Sequence, residues 1–243
     1  SQAVVREALE GQLSGALESM EDIDREVLAL RHFEELTNSE VAEILGTDLV
    51  DVVPRTGGGD NYLRADDQNP NSNGVRKILG IEPGAKLDAI RAGVKSGAIQ
   101  GVLALGENLL KAGFEKESLA DLKALVSLHI LANATAELSG VVLPGSSYAE
   151  KRGTLINVTG RLQRLNKAVR SPGNARDTWE ILRDLVAGLG GGNGLHSIED
   201  VFTQLAGQVD ILAGLTLSRV GDLGVPVMET GEAIPLLGRE KER

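Results

Sequence analysis

An α/β fold with a doubly wound parallel sheet, preceded by a small all-α segment, is what this sequence predicts. Three observations carry the prediction. Apolar runs of strand length alternate with amphipathic stretches of helical period between residues 85 and 144. Gly supplies 30 of the 243 residues, as suits a loop-rich α/β protein. Aromatics make up only 2% against 42% hydrophobic residues, so the core of one or two domains has to be built from Leu, Val, Ile and Ala.

The elements follow in order. Val4, Val5, Ala8, Leu9, Leu13 and Leu17 recur at helical spacing and predict a helix over 3–19. "DIDREVLALRHF" repeats the pattern with Ile23, Val27, Leu28, Leu30 and Phe33, predicting a second helix. Thr37, three residues before Glu40, forms a capping box that opens "EVAEIL", and Gly46 closes it. A polar stretch, "DNYLRADDQNPNSNGVRKIL", carries Asn-Pro and Asn-Gly turn signals. "AKLDAIRAGVKSG" predicts a helix on Leu87, Ile90 and Val94; "IQGVLALG" a buried strand; "SLADLKAL" a helix; "VSLHIL" a second strand. "NATAEL" is a short helix, and "GVVLP" a third strand stopped by Pro144. Trp179, Leu182, Leu185, Val186 and Leu189 predict a helix in "NARDTWEILRDLVAGLG", and Ser197 with Asp200 starts another, "IEDVFTQLAGQV". The tail from Gly221 is Gly/Pro-rich and ends in "GREKER". Ligands of such sheets lie beyond the carboxyl ends of the strands, which puts Gly106–Asn108 and Pro144–Thr154 on the functional edge.

Composition excludes several chemistries. Cys is absent, so the chain has no disulfide, no thiolate nucleophile and no Cys-ligated Fe–S cluster. His32, His129 and His196 are widely separated and read as structural, without a zinc spacing. No apolar run reaches the length of a bilayer span, and the first residues show no signal-peptide pattern, so neither membrane insertion nor export is expected. The net charge of −10 is uneven: residues 1–46 hold three Lys and Arg against eleven Asp and Glu, leaving the rest almost neutral.

"MEDIDREVLALRHFEELTNSEVAEILG" resembles region 4 of extracytoplasmic-function sigma factors, through Arg25-Glu26-Val27-Leu28, Arg31, Leu36-Thr37 and Glu40-Val41-Ala42. That family continues with a basic recognition helix. Here "TDLVDVVPRTGGGDN" follows, with Asp48, Asp51 and Asp60, the breaker Pro54 and the run Gly57–Gly59. The resemblance therefore implies a unit truncated before its DNA-reading helix, and neither DNA nor RNA polymerase is an expected partner.

A second resemblance covers about 180 residues. "GVLALGEN", "GVVLPGSSYAEKRGTLINVTGRLQRLNKAV" and "PGNARDTWEILRDL" resemble the molybdopterin oxidoreductase superfamily. Within it, "VFTQLAGQVDILAGLTLSRVGDLGVPV" looks like the tail of the large peripheral-arm subunit of NADH-quinone oxidoreductase, respiratory complex I. The resemblance implies a vestigial cofactor-binding set of Gly106, Glu107, Asn108, Asn157, Gly160, Arg161 and Gln163, with Thr159 where the pattern usually has Glu. It implies no bound cofactor, because the family's Fe–S and molybdenum ligands lie upstream of the matching region. It also implies other subunits of the complex I peripheral arm as partners, in the cytoplasm or at the inner face of the plasma membrane.

Two local features keep alternative readings. Lys151, Arg152, Arg161, Arg164, Lys167 and Arg170 form an acid-free basic run over 151–170. It is either a surface for a guanine dinucleotide or pyrophosphate, or a set of cations paired with acids elsewhere in the fold. "GENLLKAG" is either a ligand cradle or a strand-to-helix turn capped by Asn108.

The expected organisation is a truncated sigma-like helical segment (1–46), a linker (47–74), a molybdopterin oxidoreductase-like α/β domain (75–190) and a C-terminal helical tail (191–243). The expected function is the structural C-terminal end of that large complex I subunit, not catalytic alone, fused to a sigma remnant. The alternative is a sigma-type transcription protein carrying an α/β partner-binding module.

Overall fold

The computed structural model describes residues 49–59, 66–188 and 195–229, and the backbone of 27–31. Its centre is a five-stranded, all-parallel sheet. The strands are β1 (Val27–Arg31), β2 (Asp51–Val52), β3 (Gly101–Leu105), β4 (Ala124–His129) and β5 (Val141–Pro144), in spatial order β2-β1-β3-β4-β5. Every residue of β3 and β4 is buried, because helices cover both faces.

On one face Val102 and Ala104 of β3 meet α2 (Leu87–Ser96), which follows a short helical turn, α1 (Ser72–Gly74), and its π-helical continuation over Val75–Leu79. Leu87, Ile90 and Val94 form the buried stripe of α2, and full burial of each such side chain stabilises by roughly 1.5–3 kcal/mol. α3 (Lys116–Ala120) closes that layer through Leu119, and α4 (Ala134–Leu138) lies between β4 and β5. On the other face Leu103, Leu105, Val126, Leu128 and Leu143 pack on Ile181, Leu182, Leu185 and Val186 of α5 (Thr178–Gly188). The doubly wound arrangement is thus present.

A second sheet is antiparallel: β6 (Gly153–Ile156), β7 (Arg161–Leu165) and β8 (Val225–Pro226). Ile156 and Leu162 on its inner face share a core with Trp179 of α5 and with Ile198, Val201, Phe202 and Leu205 of α6 (Ile198–Gln208). A 3₁₀ turn (Asp210–Leu212) and α7 (Leu217–Val220) complete that core. α6 starts at a full capping box between Ser197 and Asp200. The strands of this sheet are not among the elements expected from the sequence, where 151–170 stands out as a basic run.

Two expectations are corrected. The second helix of the N-terminal segment, over 23–33, meets a strand instead: β1 pairs with β3 over five residues, from Val27↔Gly101 to Arg31↔Leu105. A short apolar run fits either period, and parallel pairing against a fully apolar neighbour decides it. The expected linker, 47–74, contains β2, whose Asp51 is fully buried and bonds backbone rather than opposing phosphate. Neither finding supports a helix-turn-helix preface. The helices expected over 3–19 and from Thr37 to Gly46, His32, Asp48, Asp60 and the "GREKER" end lie outside the described residues.

Candidate functional site

The strand order reverses between β1 and β3, since β2 lies to one side and β4 and β5 to the other. At such a switch point the loops leaving adjacent strands part and leave a crevice. A cleft of about 960 Å³ opens there. It is walled by Val53–Arg55 after β2, Gly106–Asn108 after β3, His129–Asn133 at the end of β4, and Tyr148 and Lys151 beyond β5. Gly106, Glu107 and Asn108 of the predicted set therefore line the cleft, as does part of the predicted Pro144–Thr154 edge.

Each wall has a local cause. Gly106 takes φ +74°, a conformation open to glycine, and donates its N–H to the Leu128 carbonyl at 2.7 Å, turning the chain sharply off β3. Asn108 then accepts from the Lys111 N–H at 3.2 Å through its side-chain oxygen, the capping bond expected of it. Residues 109–113 form turns rather than a helix. Thr135 ties this loop to α4, accepting from the Leu109 N–H at 2.7 Å and donating to Asn108 Oδ1 at 3.4 Å. Asn133 caps α4, accepting from the Thr135 and Ala136 N–H groups.

The charge of the cleft opposes that of the chain. Among the described residues Arg55, Lys111 and Lys151 line it together with the carboxylate of Glu107, in a protein of net charge −10. Glu107 is buried and meets Arg55 at 3.4 Å, with Arg55 half in solvent. Low-dielectric walls concentrate such a positive field, so the cleft favours anions. At its mouth Ile130, Leu131 and Tyr148 are exposed at 56%, 78% and 75%, an apolar lip of the kind that holds a ring.

His129, which nothing in the sequence singles out for chemistry, is the cleft's least satisfied residue. It is only 8% exposed, and its Nε2 makes no hydrogen bond. Burial lowers its pKa, while a backbone hydrogen bond to Glu107 and the Glu107 charge act in the opposite sense without overcoming it. The imidazole is therefore held neutral near pH 7. Its place at a strand end is visible in the sequence; its missing partner is not.

The other predicted residues lie elsewhere. Asn157, Gly160, Arg161 and Gln163 build the β6–β7 turn and do not line the cleft. Asn157 Oδ1 accepts from Thr159 N–H and Oγ1 and from the Arg161 N–H, and its amide donates to Gln163 at 3.0 Å. Arg161 donates to the carbonyls of Leu223 and Gly224, binding the hairpin to the chain before β8. The basic run is largely absorbed in the same way. Arg152 pairs with Glu199, Arg164 with Asp222 at 2.8 Å, and Lys167 with Asp177 at 3.9 Å. Lys151 is the member that lines the cleft. His196 donates its backbone N–H to Asp200 as part of the α6 cap.

Among the described residues no three His, Cys, Asp or Glu side chains come together as a metal site, and no helix is long and apolar enough to cross a membrane.

Known proteins share much of this chain. The profile of a family described as molybdopterin oxidoreductase matches residues 14–187, which takes in the whole stretch from Met20 to Gly46 that resembles a sigma factor. The chain is 39% identical over 108 residues to the F420-dependent formate dehydrogenase 1 subunit alpha of Methanococcus maripaludis, covering 44% of this chain and 16% of that protein. It is 33% identical over 118 residues to the assimilatory nitrate reductase catalytic subunit of Bacillus subtilis, covering 46% and 17%. It is 44% identical over 69 residues to the NADH-ubiquinone oxidoreductase 75 kDa subunit of Reclinomonas americana, covering 28% and 10%. These matches span less than a fifth of each relative's length.

Proposed function

Because the chain belongs to the molybdopterin oxidoreductase family, we propose that it is a structural portion of a large oxidoreductase subunit, of the kind found in the peripheral arm of NADH-quinone oxidoreductase. In that role it works among the other subunits of the arm. The observation that carries this choice within the family is the 44% identity to the 75 kDa subunit, the densest of the three likenesses. The words of "VFTQLAGQVDILAGLTLSRVGDLGVPV" support the same choice. A chain without Cys supplies no thiolate to an Fe–S cluster, so electron carriers would come from other parts of the assembly. No observation favours the transcription reading.

The family name implies a pterin cofactor, and the cleft fits its nucleotide end. Arg55, Lys111 and Lys151 suit phosphates, the lip of Ile130, Leu131 and Tyr148 suits a ring, and about 960 Å³ admits a nucleotide. The metal end receives no ligand set from the described residues. A bound molybdenum–pterin would supply the redox chemistry; this chain's residues would bind and orient the phosphates.

Affinity purification of the tagged chain from cells making complex I tests the assignment. Recovery of peripheral-arm subunits is the expected result; recovery of core RNA polymerase instead, or of no partner, overturns it. Pyrophosphate at millimolar concentration should raise the Tm of the chain, and an unchanged Tm removes the anion cleft.

A further inference from the structure

We infer that residues 3–19 dock as an amphipathic helix into a groove at the amino-terminal edge of the parallel sheet, the edge opposite the cleft. The groove, of about 460 Å³, lies where β4 and β5 begin. It is walled by Leu119 and Ala120 of α3, Leu122 and Lys123 before β4, Leu138 of α4 and Val141 of β5. Leu122, Leu138 and Val141 are only partly buried, so the cores they pack against leave part of each in the groove. A cavity of ~150 Å³ takes up a benzene-sized group, so this groove has room for about three apolar side chains.

The register of the sheet says what reaches it. Val27, the first residue of β1, pairs with Gly101, and Gly101 pairs with Ala124, which lines the groove. The chain therefore enters β1 two strands away, about 10 Å from Ala124 at the usual strand spacing. Residues 20–26, which join the segment to β1, span up to about 23 Å when extended, more than the distance requires. The segment itself lies outside the described residues, and its sequence fits the place. Val4, Val5, Ala8, Leu9, Leu13 and Leu17 make one apolar face, while Glu7, Ser14 and Glu18 fall on the other. Gly11 and Gly15 weaken the segment as an isolated helix, so an apolar surface to pack on is what makes it fold. Charge favours the same docking. Residues 1–26 carry two Arg against seven Asp and Glu, and among the described residues Lys123 is the charged one lining the groove.

The test uses the 243-residue chain, which has no Cys, so introduced thiols are the only ones to react. Ala120→Cys places one thiol at an exposed position of the groove. It is combined either with Leu9→Cys on the apolar face of the segment or with Glu7→Cys on the opposite face. Both pairs share one tether, but the two helix faces lie about 10 Å apart and a disulfide needs Cα atoms within about 7 Å, so the Leu9 pair should close an intramolecular bridge at least about tenfold faster in air. Equal rates overturn the inference. Covalent dimers in place of the internal bridge overturn it too, and make a second copy of the chain the occupant. Hydrogen exchange reads the same contact without thiols. Leu9→Glu combined with Leu13→Glu should strip protection from residues 121–123 and 138–140 and leave α6 as it was. Unchanged exchange at those groove residues overturns the inference.

Discussion

Asp51 offers the sharpest test of how β2 is held in the sheet. Its carboxylate is fully buried and accepts three backbone N–H groups: Val52 at 2.7 Å and Gly84 at 2.8 Å on Oδ1, and Lys86 at 2.9 Å on Oδ2. These bonds join the two-residue strand to the turn that leads into α2, across more than thirty residues of sequence. Asp51→Ala leaves all three donors without that partner. Hydrogen bonds to a charged group contribute about 1.5–3 kcal/mol each, but the Gly84 and Lys86 donors are only part-buried and recover some water, so the sum is set at ~3 kcal/mol. Asp51→Asn separates the contributions. Its carbonyl oxygen can keep the Val52 and Gly84 donors, while its NH₂ then faces the Lys86 N–H, donor to donor. One bond is lost and a repulsion added, for ~1–2 kcal/mol. Urea unfolding followed by circular dichroism measures both. The expected order of stability is wild type, Asn, Ala, with the m-value unchanged. An Ala variant within about 0.5 kcal/mol of wild type, the range of an ordinary surface change, would refute the view that this carboxylate fastens the edge strand.

Three further outcomes follow from the packing. Gly160 takes φ +72°, and a Cβ there would lie 2.1 Å from the Met228 carbonyl oxygen, so Gly160→Ala should cost more than ~2 kcal/mol in unfolding experiments; a neutral effect would mean β8 is not fixed against the hairpin. Ser197→Ala removes the acceptor of the Asp200 N–H at the α6 cap and should destabilise by ~1 kcal/mol, with Ser197→Gly losing less; the reverse order would argue against a cap. Burial pushes the Asp184 carboxyl up, but hydrogen bonds from Arg176 and Arg183, each at 2.6 Å, prevail and leave its pKa below the ordinary value. A depressed folded pKa means its contribution is present above the unfolded pKa and disappears as pH falls through the folded one. The stability gap between wild type and Asp184→Asn should therefore be widest near about pH 7 and close toward about pH 2; a constant gap across that range would contradict it.

What is legible in the sequence follows from where burial alone decides structure. β3 and β4 are readable because each is a short apolar run ended by Gly or a polar turn, and a strand covered on both faces needs nothing more; β5, an edge strand with only Leu143 buried, is readable because Pro144 stops its apolar run. α2, α5 and α6 are readable because one face of each is apolar at helical spacing, and α6 carries its own start signal. β1 is not, since Val27, Leu28 and Leu30 satisfy a helical period as well as a strand, and only the register with β3 chooses between them. β2 is two residues long and holds an Asp, a residue that strands usually avoid; its reason for being there lies at Gly84 and Lys86. The β6–β7 hairpin does carry a period-two signal in Arg161-Leu162-Gln163, with Leu162 inward, but its density of cations draws attention to charge instead.

The same contrast separates the residues that spell a family from those available to a ligand. The matching letters at Asn157, Gly160, Arg161 and Gln163 spend their hydrogen-bonding capacity on one another and on the chain before β8. Asn157 Oδ1 alone takes three donors. A group so saturated has nothing left to offer, and its recurrence in a motif reflects the turn it makes. Gly106–Asn108 belong to the motif and reach the cleft, but Asn108 Oδ1 is engaged by Lys111 and Thr135. His129 belongs to no motif, lines the cleft and has a buried Nε2 without a hydrogen-bond partner. Hydrogen-bonding capacity already spent within the fold, rather than motif membership, therefore decides which of these residues can still meet a ligand.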